Sequence, residues 1–367
     1  MTEPNEILFK HFLFQGTFKS CVPNRVGLIN STFVLEYCCE NSIIKKYILQ
    51  KINTNVFKKP QELMENIYNV TNHIKDVSKK LGEEISRCTL NIIKTVSGEL
   101  YYKDEDGDYW RAYDFIEDAV TYNSIESKEL FYSAGIALGQ FQKKLEDYPA
   151  GNLYETIENF HNTPVRFENL CKSVNENRAG RKNLVMDEIR FFEDRRDFCS
   201  VITKEIEKGT IPVRVTHNDT KVNNIMIDSK TNKALCLIDL DTVMPGSALY
   251  DFGDSIRFGT NTAAEDEVDL SHVSFDLGLF EAYTKGYMAE MKQKLTKTEI
   301  RLLPESAILM TLECGMRFLT DYLDGDVYFG VSRENHNLDR ARNQIKLVSE
   351  MEKNINKMRE IVNSALI

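Results

Sequence analysis

The chain has 367 residues, a formal net charge of −10 and 42% hydrophobic residues. That length suits one large domain or two lobes, because single cores stop growing beyond roughly 250–300 residues, and the apolar share excludes bulk disorder. The acidity excludes a broad basic footprint, so neither nucleic acid nor an anionic membrane is an expected partner. No run of about 18 apolar residues marks a membrane span. The opening MTEPNEILFKHF lacks the charged-then-apolar form of a signal peptide. Without CxxC spacing, the eight scattered cysteines do not suggest a zinc knuckle and read as reduced cytoplasmic thiols.

In chain order, Phe33–Tyr37 and Tyr47–Lys51 read as strands joined through Glu40-Asn41-Ser42. Pro60 suits a first helical turn, and Leu63, Ile67, Val70 and Ile74 then fall on one helical face. Thr89–Lys94, Leu100–Lys103 and Tyr109–Ile116 read as further strands, with Asp106-Gly107 turning between the last two. Leu130–Leu145 is an apolar-periodic helix ending near Pro149 and Gly151. Helices and loops follow, then short strands at Ile211–Val215, Asn224–Ile227 and Ala234–Leu240. From Asp276 onward the pattern is mainly helical. The last stretch sets Leu338, Ala341, Ile345, Val348, Met351, Ile355, Met358 and Val362 at three- and four-residue steps, which suits packing on the parent lobe or a coiled-coil dimer. The expected architecture is α+β, with a small β-rich nucleotide-binding lobe at 1–116 and a large helical lobe at 117–367. The expected state is a monomer or weak dimer.

The window His217-Asn218-Asp219-Thr220-Lys221-Val222-Asn223-Asn224 is followed by Ile238-Asp239-Leu240-Asp241. Phosphoryl transfer needs a carboxylate to deprotonate a hydroxyl, oxygen ligands for Mg²⁺, a cation for the transferring group and a clamp for the inner phosphates. Asp219 is placed as the base and Lys221 as the cation, while Asn224 and Asp239 are placed as metal ligands. His217 reads as architectural. The window has the register of the protein-kinase catalytic loop. Asp251-Phe252-Gly253 spells that family's metal motif but lies 32 residues beyond Asp219, whereas Asp239 lies 20 beyond it and ends a strand. Asp251 is therefore read as structural, bonded to the backbone of the catalytic loop.

The phosphate clamp is expected from the small lobe. Lys51 ends an apolar strand, and Glu65, or else Glu62, is its helix partner. The turn before the first strand, Gly27 to Thr32, is poor in glycine, so Asn30 and Thr32 are candidates to bond phosphate with side chains. Adenine would be bound by backbone groups of the lobe connection Tyr113-Asp114-Phe115-Ile116.

These residues carry a resemblance. A second motif of Ile238-Asp239, Gly246 and Asp251-Phe252-Gly253 is similar to that of the aminoglycoside phosphotransferase and choline kinase superfamily, which has the protein-kinase-like two-lobed fold. Within it, YILQKINTNVF (47–57), LYETIENFHNTPVRF (153–167), THNDTKVNNIMID (216–228), LIDLDTVMPG (237–246) and MRFLTDYLDGDVYF (316–329) resemble the N-acetylhexosamine 1-kinases over nearly the whole chain. The resemblance implies ATP as phosphoryl donor, Mg²⁺ as cofactor and a small sugar as acceptor. It implies that Asp241 holds a second metal or a sugar hydroxyl. It also implies that Arg317 and Tyr328, with His161 and Arg166 as weaker candidates, contact the sugar. Other small alcohols such as choline, homoserine or an aminoglycoside remain alternatives, as does a non-catalytic nucleotide-binding module.

Overall fold

The computed structural model describes residues 4, 6–24 and 29–367. A short helix α1 (Glu6–Phe9) precedes a six-stranded antiparallel sheet of β1 (Thr17–Asn24), β2 (Ser31–Cys38), β3 (Ile44–Ile52), β4 (Ile92–Ile93), β5 (Tyr102–Lys103) and β6 (Tyr109–Asp114). The order is β1-β2-β3-β6-β4, with β5 also paired to β6. β1 was not expected, and the strands expected at Thr89–Lys94 and Leu100–Lys103 form only at Ile92–Ile93 and Tyr102–Lys103.

Side chains alternate across a strand, so each face has its own parity. Phe33, Leu35, Tyr47, Leu49, Trp110 and Ala112 share one face and form an apolar layer with Leu8, Phe9 and Phe12. Thr32, Gln50 and Arg111 line up across β2, β3 and β6 on the other face. That face meets α2 (Pro60–Lys80), which begins on its proline and buries Leu63, Ile67, Val70 and Ile74 as the spacing predicts.

The rest of the chain is mostly helical: α3 (Lys128–Lys144), α4 (Thr163–Glu176), α5 (Met186–Glu193), α6 (Thr203–Glu207), α7 (Ala248–Gly259), α8 (Leu277–Met291), α9 (Lys297–Asp324) and α10 (His336–Ser364). Five short strands lie among them: β7 (Ala119–Val120), β8 (Arg214–Thr216), β9 (Ile225–Asp228), β10 (Ala234–Leu237) and β11 (Met244–Gly246). They pair as β10-β9-β7 and β11-β8, which frames the loop between β8 and β9. The apolar stripe of α10 buries Leu338, Ala341, Val348, Met351, Met358 and Val362, with α9 of the same chain packed against it. A Thr296–Glu299 capping box opens α9, and Arg214 pairs with the same Glu299 at 2.8 Å. No helix among the described residues is long and apolar enough to cross a membrane. All eight cysteines are free thiols.

Two glycines set the closest helix contact. A Cβ on Gly135 of α3 would run into the Tyr283 carbonyl, and one on Gly286 of α8 into the Tyr132 carbonyl. Both obstacles are backbone and cannot rotate away. Gly286→Ala is therefore expected to lower stability by about 1–3 kcal/mol through overpacking. A thermal melt of the purified variant checks this, and an unchanged midpoint would show that the two helices can separate at no cost.

Candidate active site

The chain from His217 to Asn224 leaves β8 and reaches β9 with little repetitive pairing, so its amides need other partners. Two carboxylates on α7 provide them. Asp251, fully buried, accepts from the His217 and Asn218 N–H groups at 3.0 and 2.7 Å and from Gln142 Nε2 at 2.9 Å. Burial raises its carboxyl, and these donors and His217 oppose the rise. Asp254 accepts from the Thr220 N–H at 3.1 Å while pairing with Arg257. Asp251 thus has the structural role read from its spacing. His217 is fully buried; its Nδ1 accepts from the Asp219 N–H at 3.3 Å, which leaves Nε2 to donate to the Ile238 carbonyl at 2.9 Å. It braces the loop, and both its nitrogens are engaged.

Asn218 takes a left-handed φ of 65°, a conformation Asn tolerates better than most residues. Next to it, Asp219 Oδ1 pairs with Lys221 Nζ at 3.1 Å, and Asn224 Nδ2 donates to the Asp219 carbonyl and Oδ2 at 2.9 and 3.1 Å. Asp219 raises the Lys221 ammonium above its ordinary value, so Lys221 stays charged. The Ile238 N–H donates to the Asn224 carbonyl at 2.8 Å, which draws Asp239 alongside. Asp239 is left-handed too, with φ 59° and ψ 57°.

Asp239 is pushed up to about 7 by its protein surroundings and by the Asp241 and Asp219 carboxylates. Its side chain is open to cleft water, so the direction rests on the like charges more than on burial. Like charge crowded around Asp239 is what a divalent cation would relieve, and an amide whose nitrogen is spent on Asp219 offers a cation its oxygen. Among the described residues no three carboxylate, imidazole or thiol groups form a closed metal cage. The donor set nevertheless fits Mg²⁺, which is usually held by one or two carboxylates plus waters and substrate phosphates.

On the nucleotide side the structure corrects the clamp. Lys51 shares its face with Trp110, turned from the cleft, and pairs with Asp108. Glu65 is exposed and raises the Tyr154 hydroxyl instead, and Glu62 pairs with Lys59. The buried cation on the cleft face is Arg111, whose Nη1 and Nη2 reach Asp241 Oδ1 and Oδ2 at 2.5 and 2.9 Å. Asn30 Nδ2 also donates to Asp241 Oδ2, at 2.7 Å, while Thr32 Oγ1 accepts from Gln50 at 3.0 Å. Gly27 lies outside the described residues. Both Asp241 oxygens are thereby engaged by Arg111 and Asn30. The Asp114 and Phe115 N–H groups are spent on the Asn91 and Lys46 carbonyls at 2.9 and 3.2 Å. Ile116, two residues on from Asp114, is buried.

Beyond the catalytic loop, His161 is buried between Glu313 Oε1, 2.7 Å from Nδ1, and the Asn218 carbonyl, 3.2 Å from Nε2. Both partners sit within hydrogen-bond distance, so both ring nitrogens are engaged. Thr163 also donates to Glu313, at 2.6 Å. Despite its burial, Glu313 is held below the usual carboxylate range by His161. His161 is therefore a brace under the residue before Asp219, without a free nitrogen for substrate. Arg166 donates to the Phe160 carbonyl at 2.8 and 3.1 Å and is lowered by burial and by the neighbouring Arg317. The Arg317 guanidinium lies 5.3 Å from the Phe160 ring centre and 5.5 Å from that of Phe329. Asp321 gathers the N–H groups of Val327, Tyr328 and Phe329 at 2.8–2.9 Å, which fixes the turn that presents an exposed Tyr328 beside this wall.

Sequence reasoning missed Gln50, Arg111 and Glu313. Strand parity held the signal for the first two, since Tyr47, Leu49 and Lys51 must share a face and Gln50 must take the other. For Glu313, nothing local distinguishes it within an apolar helix.

A model of a phosphotransferase enzyme family matches residues 82–292. The chain belongs to that family, and with it to the small-molecule phosphotransferases that act on an alcohol group. An aminoglycoside phosphotransferase from Alicyclobacillus acidocaldarius is similar in structure at a TM-score of 0.66 and 9% identity, over 99% of this chain and 98% of that one. An amicoumacin kinase in complex with AMP-PNP and Ca²⁺ superposes at 0.57 and 14% identity, over 92% and 90%. A choline kinase from Cryptosporidium parvum does so at 0.55 and 13% identity, over 99% and 95%. The fold is the protein-kinase-like α+β arrangement expected from the sequence.

Asp219→Asn is expected to lower kcat at least about a hundredfold with little change in nucleotide affinity, as for loss of a general base. Steady-state kinetics decide it, and retention of a tenth of wild-type turnover would remove the role. Asp239→Ala should stay folded and lose Mg²⁺-dependent turnover, whereas Asp251→Ala should lose thermal stability. Melts and Mg²⁺ titrations of both variants test the pair, and the opposite pattern would exchange their roles.

Proposed function

We propose that this protein transfers the γ-phosphoryl group of ATP, with Mg²⁺, to the anomeric hydroxyl of an N-acetylhexosamine, giving the sugar 1-phosphate and ADP. The observation that carries the acceptor reading is the Arg317 guanidinium between Phe160 and Phe329, with Arg166 beside it. An aromatic slot of this kind would otherwise hold a substrate ammonium. Here the protein's own cation fills it, and a second stands next to it, so choline or a polycationic aminoglycoside meets repulsion. A neutral sugar with ring hydroxyls and an acetamido carbonyl offers acceptors that two guanidiniums and the Tyr328 hydroxyl can bond. The single tryptophan is buried on the far face of the sheet, bonded to Asp104, and adds nothing to a cage.

The chemistry follows from the loop. Asp219, oriented by Lys221 and Asn224, takes the hydroxyl proton as that oxygen bonds to the γ-phosphorus and the bond to the β–γ bridging oxygen breaks. Lys221 lies where charge on the transferring group can be met. Asn224 and Asp239 would hold Mg²⁺, which would supply neutralisation of the phosphate charge.

The test is coupled turnover with N-acetylglucosamine, N-acetylgalactosamine, their methyl glycosides, choline and kanamycin, with the product read by phosphorus NMR. The free sugars should give an anomeric phosphate, and the methyl glycosides should be inert. A site that bonds substrate polar groups rejects analogues lacking them strongly, so Arg317→Ala should raise KM for the sugar more than for ATP. Equal turnover of the methyl glycosides would place the phosphate elsewhere on the ring. Activity confined to choline or kanamycin would end the sugar reading.

A further inference from the structure

Near the end of β3 the polar residue on the face shared with Arg111 is Gln50, which carries no charge, and the helix that packs over it offers no acid there. Where α2 meets Arg111 it presents the buried Met64, whose sulfur lies 3.9 Å from Arg111 Nη1, while the buried Asn66 bonds the Tyr154 and Val243 carbonyls at 2.8 and 3.0 Å. A lysine from the third strand paired to a helix carboxylate is therefore not how this cleft is built. What stands at that register is Arg111, 1% exposed, opposite Gln50 on the neighbouring strand. Its Nε donates to Gln50 Oε1 at 3.0 Å, and both terminal nitrogens are spent on Asp241, two residues beyond Asp239. Asn30, the residue before β2, reaches the same carboxylate and accepts from the Asn53 N–H at 2.9 Å.

We propose that the Gln50–Arg111–Asp241–Asn30 clasp takes the place of the strand-lysine pair in the nucleotide site. In it Arg111 is a positioning residue that fixes Asp241 beside Asp239 and thereby ties the phosphate-side turn to the metal-side loop. Three features support this role. The fork geometry is bidentate, which only arginine can supply. The pair is buried, so each partner leaves the other's charge uncompensated if removed. Asn30 adds a third donor to an already paired carboxylate, so the position of the turn and the orientation of Asp241 are coupled. Gln50 anchors the guanidinium from one side and the Thr32 hydroxyl from the other, which extends the clasp across three strands.

The inference rests on the reading of the cleft as a nucleotide site, and it is independent of which acceptor is used. The experiment measures ATP binding by calorimetry, without acceptor, in MgCl₂ and in EDTA, for wild type, Arg111→Lys, Asn30→Ala and Lys51→Ala. KM for ATP and for the acceptor are then measured on the same proteins, after thermal melts establish folding. Loss of one hydrogen bond to a charged group predicts about a tenfold weaker nucleotide Kd in MgCl₂ for Arg111→Lys, and a smaller loss for Asn30→Ala. The Mg²⁺ requirement should rise in both, with the acceptor KM unchanged. Lys51→Ala should stay within about twofold of wild type, since Lys51 faces away from the cleft. If Arg111→Lys fails to fold, Asn30→Ala decides, because its side chain is half-exposed and lies outside the core. Wild-type nucleotide Kd and Mg²⁺ dependence in a folded Arg111→Lys or in Asn30→Ala would overturn the clasp, as would a tenfold loss in Lys51→Ala. Absence of nucleotide binding by the wild type would instead bring down the functional reading, and the clasp with it.

Discussion

The site depends on hydrogen-bond acceptors for a stretch of backbone that belongs to no helix or sheet. Between β8 and β9 the chain must pass the Asp219 carboxylate through a tight loop, and buried amides without partners are costly. Asp251 and Asp254, one helical turn apart on α7, accept from His217, Asn218 and Thr220. The loop conformation is thus set from beneath, by a helix wedged against α9 closely enough that Gly253 leaves no room for a side chain beside Ser306. From that foundation the upper contacts follow: Thr242 bonds the His217 carbonyl at 2.6 Å, Asn218 bonds the Thr242 carbonyl at 2.8 Å, and Asp239 is carried in beside Asn224.

A second set of contacts reaches the loop from the acceptor side. His161 grips the Asn218 carbonyl and is itself held by Glu313, four residues before Arg317 on α9. One helix therefore carries both the Glu313 carboxylate that holds His161 under the loop and the Arg317 guanidinium set against Phe160 and Phe329. The small sheet engages the same region through Asp241. Reacting groups from distant parts of the chain are in this way referred to one rigid helical base, as positioning catalysis requires.

The elements most legible in the sequence were those with a local cause. The α2 and α10 stripes came from helical periodicity, and the loop from Asp219 to Asn224 came from a spacing that chemistry imposes within eight residues. Even the misleading Asp251-Phe252-Gly253 was resolved by distance along the chain. What failed was orientation. Lys51 was assigned by its place at a strand end, although the alternation Tyr47, Leu49, Lys51 sends it to the face that holds Trp110. Arg111 and Asp241 meet across 130 positions, and Glu313 meets His161 across 152. Partners that far apart leave no periodicity or motif in either neighbourhood, because only the finished topology brings them together.

The two left-handed residues of the loops, Asn218 and Asp239, carry a consequence for which sequences this site can accept. Apart from glycine, asparagine and aspartate are the residues that enter that conformation most readily. They are also short polar side chains: the Asn218 amide nitrogen donates to the Thr242 carbonyl, and a carboxylate such as that of Asp239 is of the type that ligates a hard cation. Backbone geometry and chemistry therefore restrict each position to nearly the same small alphabet. Glycine would satisfy the torsion and forfeit the ligand, while glutamate would keep a carboxylate and strain the torsion. A lineage drifting through this loop has almost nowhere else to go.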